Sequence, residues 1–231
     1  MKKLLHNSKI YKFGFTLAEV LITLVIIGVV AALTIPTAIS KYNEQEKSAK
    51  IKKIYSTLNN AFLRSKADNG DVVLDSVTET SIYQWFEKYL RPYIVTTKIC
   101  YDEAGCWNSG DTKFLKGGNC YYNQNGIGVG IHIITAVLSD GSFINIDAYG
   151  RSDVANYFKV QSDASGMIIV IIFDINGDKG PNTFGKDIFA TLYTDNGFIP
   201  SYRDATGTQI NSDCSDSGTG YSCIMKYLQN R

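Results

Sequence analysis

Phe15 to Ile35 is a 21-residue apolar run interrupted by a single acid, Glu19. No other stretch limits the fold so tightly. As a helix it reaches about 31 Å at 1.5 Å per residue, enough to span a hydrocarbon core. Val, Ile and Leu dominate, and Thr16, Thr23, Gly28 and Thr34 form no polar face. A soluble helix of this length would carry one. Lys2, Lys3, Lys9 and Lys12 precede the run, and Lys41 lies beyond its end. The denser basic cluster predicts a cytoplasmic N-terminus and a C-terminal part on the other side of the membrane.

A secretory signal places its apolar region before a small-residue cleavage site. Here the order is reversed, because Gly14 precedes the run. A cut after Gly14 would leave the membrane segment on the mature chain. Glu19 has two readings. It sits at headgroup level and favours the positive end of the helix dipole, or it pairs with a cation once the helix leaves lipid. An acid at the bilayer centre costs about 2.5–3.5 kcal/mol, less near a helix end. Cleavage before Phe15 would place a new α-amine four residues from Glu19, or on the next subunit.

Pro36 follows the run directly and is expected to kink the helix. Beyond it, Ile51, Ile54, Leu58, Ala61 and Phe62 recur at three- and four-residue steps, an amphipathic pattern. Asn69-Gly70 supplies a stop. The sequence therefore predicts one long helix over about 15–68. Ser81 to Tyr93 reads as a second, short helix, capped by Ser81 and ended by Pro92. Residues 94–126 read as irregular. Strand signals then come in pairs: 133–138 and 142–146 around Asp140-Gly141, a continuous apolar run at 167–173, and 188–193 with 198–200 around Asp195-Asn196-Gly197. The predicted fold class is α+β, a long N-terminal helix packed on an antiparallel sheet of four or five strands. The expected divisions are 1–14 as leader, 15–35 as membrane helix, 36–68 as its amphipathic continuation and 69–231 as a globular domain.

Composition narrows the function. The chain has 23 basic and 22 acidic residues, so no nucleic-acid footprint is predicted. Gly126-Ile-Gly128-Val-Gly130 has the wrong spacing for a dinucleotide fingerprint. No His-Glu-x-x-His, Gly-x-Ser-x-Gly or phosphate-loop motif occurs, and His132 lies in a strand-like stretch, so no enzyme is expected. Five cysteines, Cys100, Cys106, Cys120, Cys214 and Cys223, contain no Cys-x-x-Cys pair. With only two histidines, zinc is poorly supplied. In an oxidising compartment they read as disulfides with one thiol left over. Two of Cys100, Cys106 and Cys120 are expected to pair, and the sequence does not choose which.

One polar cluster suggests a ligand. Asp174-Ile-Asn176-Gly177-Asp178 opens a Gly-rich loop that closes at Asp187. Alternate oxygen-bearing side chains suit a hard cation such as calcium, with Asp174, Asn176, Asp178 and Asp187 as candidate ligands. The loop is no EF-hand, since Lys179 and Gly185 stand where that motif needs Gly and Glu. The competing reading is a rigid turn whose Asp and Asn side chains bond local amides.

Gly14-Phe-Thr-Leu-Ala-Glu19, the apolar run and Pro36 together resemble the N-terminal signature of type IV pilins and of the pseudopilins of type II secretion. The resemblance covers about residues 12–40. It implies cleavage between Gly14 and Phe15 by a prepilin peptidase that also N-methylates Phe15, and a role for Glu19 in setting subunit register. It implies a filament subunit whose partners are pilin-like subunits, membrane lipid before assembly, and an inner-membrane platform with its ATPase. It further implies a stay in the inner membrane, then in a periplasmic pseudopilus or surface pilus. A C-terminal disulfide common in such pilins favours pairing Cys214 with Cys223. Secretion pseudopilins bind calcium in a loop of their sheet region, which adds weight to the 174–187 loop. The alternative is a single-pass, membrane-anchored periplasmic binding protein or enzyme with no filament role.

Overall fold

The structure, a computed structural model, describes residues 14–70, 78, 81–108, 112–120, 132–161, 167–194 and 197–229. The basic leader, the Gly126–Gly130 stretch and the turn residues Asp195 and Asn196 lie outside them. Helix α1 (Leu17–Asn69) is continuous and carries Pro36 in its interior. It begins in one compact unit, ending at Glu46, and finishes in a second, Lys47–Arg231.

In the first unit the apolar side chains from Leu17 to Ile35 are exposed almost throughout. The helix is long and apolar enough to cross a membrane. Two hydroxyls inside the apolar run are satisfied within the helix. Thr23 donates to the Val20 carbonyl at 2.9 Å and Thr34 to the Val30 carbonyl at 2.9 Å. Neither therefore presents an unpaired polar atom to lipid.

In the second unit α1 buries Ile51, Ile54, Leu58, Ala61, Phe62 and Ser65 along one stripe. The chain then forms α2 (Ile82–Trp85), a wider turn at Phe86–Leu90 and a tight turn at Arg91–Tyr93. Ser81 makes no side-chain cap on α2. Its hydroxyl donates instead to the Thr78 carbonyl at 3.1 Å and accepts from the Thr78 amide at 2.8 Å.

Six strands follow: β1 (Thr96–Tyr101), β2 (Ile134–Leu138), β3 (Phe143–Tyr149), β4 (Ile168–Asp174), β5 (Ile188–Thr194) and β6 (Gly197–Pro200). They pair antiparallel in sequence order. The expected count is corrected by β1, which lies in the stretch read as irregular. β4 is buried along its whole length, and its register explains why. Ile169 lies opposite Tyr193, and the Tyr193 ring meets Phe62 of α1 at 5.4 Å. Strand alternation puts Asp174 on the other face. There its partner Phe143 meets Trp107 at 6.3 Å. The outer edge of β6 is closed by α1: the Phe198 amide donates to Asn59 Oδ1 at 3.2 Å, and Tyr55 donates to the Phe198 carbonyl at 2.6 Å.

α3 (Arg151–Asp153) lies between β3 and β4, and the C-terminal segment adds α4 (Gly207–Asp213) and α5 (Ile224–Leu228). Thr206 and Gln209 form a capping box at the start of α4. The Asp213 carboxylate accepts from the amides of Thr219 at 3.0 Å and Ser222 at 2.8 Å. Disulfides join Cys100 to Cys106 and Cys214 to Cys223. Cys120 is buried and takes part in neither disulfide.

Candidate functional site

Two places collect the residues singled out by sequence. The first is the start of α1. Gly14 has open space around it, and Phe15 is 88% exposed. Glu19 turns back toward the helix start. Its Oε2 accepts from the Thr16 amide at 2.8 Å and the Thr16 hydroxyl at 2.7 Å. The Glu19 amide donates to Thr16 Oγ1 at 3.3 Å. This reciprocal pair is a capping box, Thr-x-x-Glu, and it satisfies amides that a helix end leaves orphaned. The carboxylate thus lies one residue from the nitrogen that cleavage after Gly14 would free. Pro36 is exposed within α1. Thr16 was not singled out, although the capping-box spacing was legible in the sequence.

The second place is the loop from β4 to β5. Asp174 is fully buried and Asp187 nearly so. The Asn176 amide donates to Asp174 Oδ1 at 3.0 Å, and Asn176 Nδ2 reaches Asp187 Oδ2 at 3.4 Å, so one residue bridges both carboxylates. Asp187 also accepts from the amides of Asn182 at 2.8 Å and Thr183 at 2.7 Å. Gly177 has φ +65°, and a Cβ there would fall 2.5 Å from the Gly141 carbonyl oxygen. The loop can close onto the β2–β3 hairpin only with glycine at that position. Asp178 is exposed.

A residue far away in sequence completes this cluster. Asn108 is only 7% exposed, and its Nδ2 donates to Asp174 Oδ2 at 3.2 Å. The side-chain oxygens of Asn108, Asn176 and Asn182 are buried without a hydrogen-bond partner. No ion pair involves Asp174 or Asp187 among the described residues. Burial, with repulsion from Asp187 added, pushes the Asp174 carboxyl up to about 7. Burial also raises Asp187. Asn108 and Asn176 reach the two carboxylates through their amide nitrogens and Asn182 through its backbone amide, so the three unpartnered amide oxygens belong to residues that touch the pair; amide and carboxylate oxygens are the donors that hard divalent cations select. The set draws on Asp174, Asn176 and Asp187 from the sequence reading and adds Asn108 and Asn182. Nothing local in the sequence marks Asn108, which meets Asp174 only through the fold.

Residues 11–35, which include the start of the apolar stem, match the prokaryotic N-terminal methylation motif, the signature of type IV pilins and pseudopilins. Residues 37–206 match a family of unknown function, DUF6613, and the chain belongs to that family. No curated protein and no solved structure matches the chain.

Proposed function

We propose that the chain is a structural subunit of a type IV pilus or type II secretion pseudopilus, processed after Gly14 and polymerised through its N-terminal helix. The observation that carries this reading is the methylation motif on a helix whose apolar surface has no cover of its own. In the unassembled subunit lipid covers that surface; in a filament the stems of neighbouring subunits do. Glu19 then exchanges its Thr16 contacts for the α-amine of Phe15 on its own or a neighbouring subunit. The subunit waits in the inner membrane with residues 47–231 outside the cytoplasm, and catalyses nothing. Its partners are related subunits, a prepilin peptidase and an ATPase-driven platform. Mass spectrometry of the mature chain tests this directly. The expected N-terminus is N-methylated Phe15. A chain retaining its leader would support the simple membrane anchor instead.

A second reading concerns the β4–β5 loop. The orphaned oxygens of Asn108, Asn176 and Asn182 beside Asp174 and Asp187 favour a bound calcium ion. Bound there, the ion would supply positive charge to two buried carboxylates and tie the loop to the sheet. Added calcium should raise the melting temperature of the full chain in detergent, and Asp187→Asn should abolish the rise. An equal rise in that variant would place the ion elsewhere.

A further inference from the structure

Asn108 reaches the β4–β5 loop from a segment tied to β1. Cys100 sits on β1, opposite Thr135 of β2. Glu103, Ala104 and Gly105 are exposed, and the chain then turns inward abruptly, with Cys106, Trp107 and Asn108 all buried. Across the exposed stretch the contacts are sparse. Asp102 is anchored, its amide donating to the Ile133 carbonyl at 3.0 Å and its Oδ1 accepting from the Ile133 amide at 2.8 Å. After it, Lys98 Nζ reaches the Gly105 carbonyl at 3.0 Å from an exposed position. The covalent tie between Cys100 and Cys106, with Cα atoms 5.9 Å apart, fixes where the buried part restarts. Asn108 lies two residues past it, its amide head on Asp174 and its Oδ1 without a partner.

We propose that Asn108 is a cation ligand supplied from outside the loop and that the Cys100–Cys106 disulfide positions it, so that cation affinity depends on oxidation of that pair. The proposal rests on the calcium reading of the β4–β5 loop. Forming the disulfide takes two electrons and two protons from the Cys100 and Cys106 thiols. They pass to the disulfide of an exchanging thiol oxidoreductase, which leaves as a dithiol. With the disulfide formed, residues 106–108 start from a fixed point on β1, and the ligand is held before the ion arrives. With it open, the ion must also order the segment, and that ordering cost is subtracted from its affinity. The site is then complete only in a chain that has reached an oxidising compartment.

Calorimetric titration of calcium into the full chain in detergent tests this. The variants are Cys100→Ser/Cys106→Ser, Asn108→Ala and Asn108→Asp, with Cys214→Ser/Cys223→Ser as a control. The expected result is binding by the wild type and the control, and about tenfold or greater weakening in both Cys100→Ser/Cys106→Ser and Asn108→Ala, a loss of the size expected for one ligand or its preorganisation. Asn108→Asp keeps an oxygen at the site and should bind at least as tightly as wild type. Wild-type affinity in Cys100→Ser/Cys106→Ser overturns the redox coupling, and wild-type affinity in Asn108→Ala overturns the ligand role. Absence of calcium binding by the wild type sinks the calcium reading itself, a different result from either of these. If the double cysteine variant does not fold, calcium titration of the folded wild type before and after reduction, with Cys214→Ser/Cys223→Ser treated alike, decides the coupling: unchanged affinity on reduction overturns it.

Discussion

Asp174 offers a sharp test of how the β4–β5 loop is held. Its side chain is fully buried, with Asp187 as a like-charged neighbour, and its carboxyl is pushed up from 3.8 to about 7. Between those two values the native chain holds a proton that the unfolded chain has released. Stability contributed by this group is therefore full below the unfolded value and is lost as pH rises through the folded one. At about 1.4 kcal/mol per pH unit, the loss between pH 4.5 and pH 8 is on the order of 3 kcal/mol without divalent cations.

Asp174→Asn removes the titration and keeps the shape. The new amide oxygen still accepts from the Asn176 amide, and the Asn108 amide can turn its oxygen toward the new NH2 group. Denaturant titrations in detergent with chelator, followed by the fluorescence of buried Trp85 and Trp107, should show the variant gaining on the wild type as pH rises. The gain should reach about 3 kcal/mol by pH 8. Calcium at pH 8 should close that gap by stabilising the wild type. Parallel stability curves for the two proteins from pH 4.5 to pH 8 would refute the account of an uncompensated buried carboxyl.

Three further outcomes follow from other parts of the molecule. Leu58, at 0% exposure on the buried stripe of α1, should lose about 2–5 kcal/mol as Leu58→Ala, read as a lower denaturation midpoint with unchanged slope. Opening the disulfide between Cys214 and Cys223, nine residues apart, should cost about 2–3 kcal/mol through loop entropy, measured with both cysteines replaced by Ser. Glu19→Ala should leave membrane insertion intact and sharply reduce recovery of the chain in sheared filaments. Equal recovery would remove its role in assembly.

How much of this was readable depends on how local each signal is. The α1 stripe was legible because Ile51, Ile54, Leu58, Ala61 and Phe62 repeat at helix spacing, and all are buried. Strands β2 to β6 were legible because turn residues or long apolar runs bound them. β1 was missed, although Ile94, Val95, Thr96 and Thr97 are β-branched. Its exposed Lys98 and buried Cys100, two residues apart, gave no clean apolar alternation, and the cysteines and turns that follow dominated the reading. The loop chemistry was half legible. Asp174 and Asn176 lie within one short segment, whereas Asn108 is 66 residues from Asp174. Pairing of β3 with β4, the packing of Trp107 on Phe143 and the tie between Cys100 and Cys106 bring that distant side chain into place.

The same local-versus-distant distinction bears on Glu19. A helix that merely anchors a domain gains from this acid only a capped first turn, and insertion carries a cost of up to about 2.5–3.5 kcal/mol at the bilayer centre. The Thr16 capping box offsets part of that cost, since the carboxylate accepts an amide and a hydroxyl hydrogen bond. Hydrogen bonds from neutral donors leave the net negative charge in place, however, and only a cation removes it. The described residues of the stem up to Ile35 carry no basic side chain. Cleavage after Gly14 would create a cation at Phe15, beside the amide that Glu19 already contacts. In the proposed filament subunit the acid and the cut site account for each other. A carboxylate held near the helix start is positioned to accept the new ammonium group, on its own chain or on a stem shifted along the filament axis. A stem that kept its leader would hold the acid without that partner, so the filament reading ties Glu19 and Gly14 to a single step.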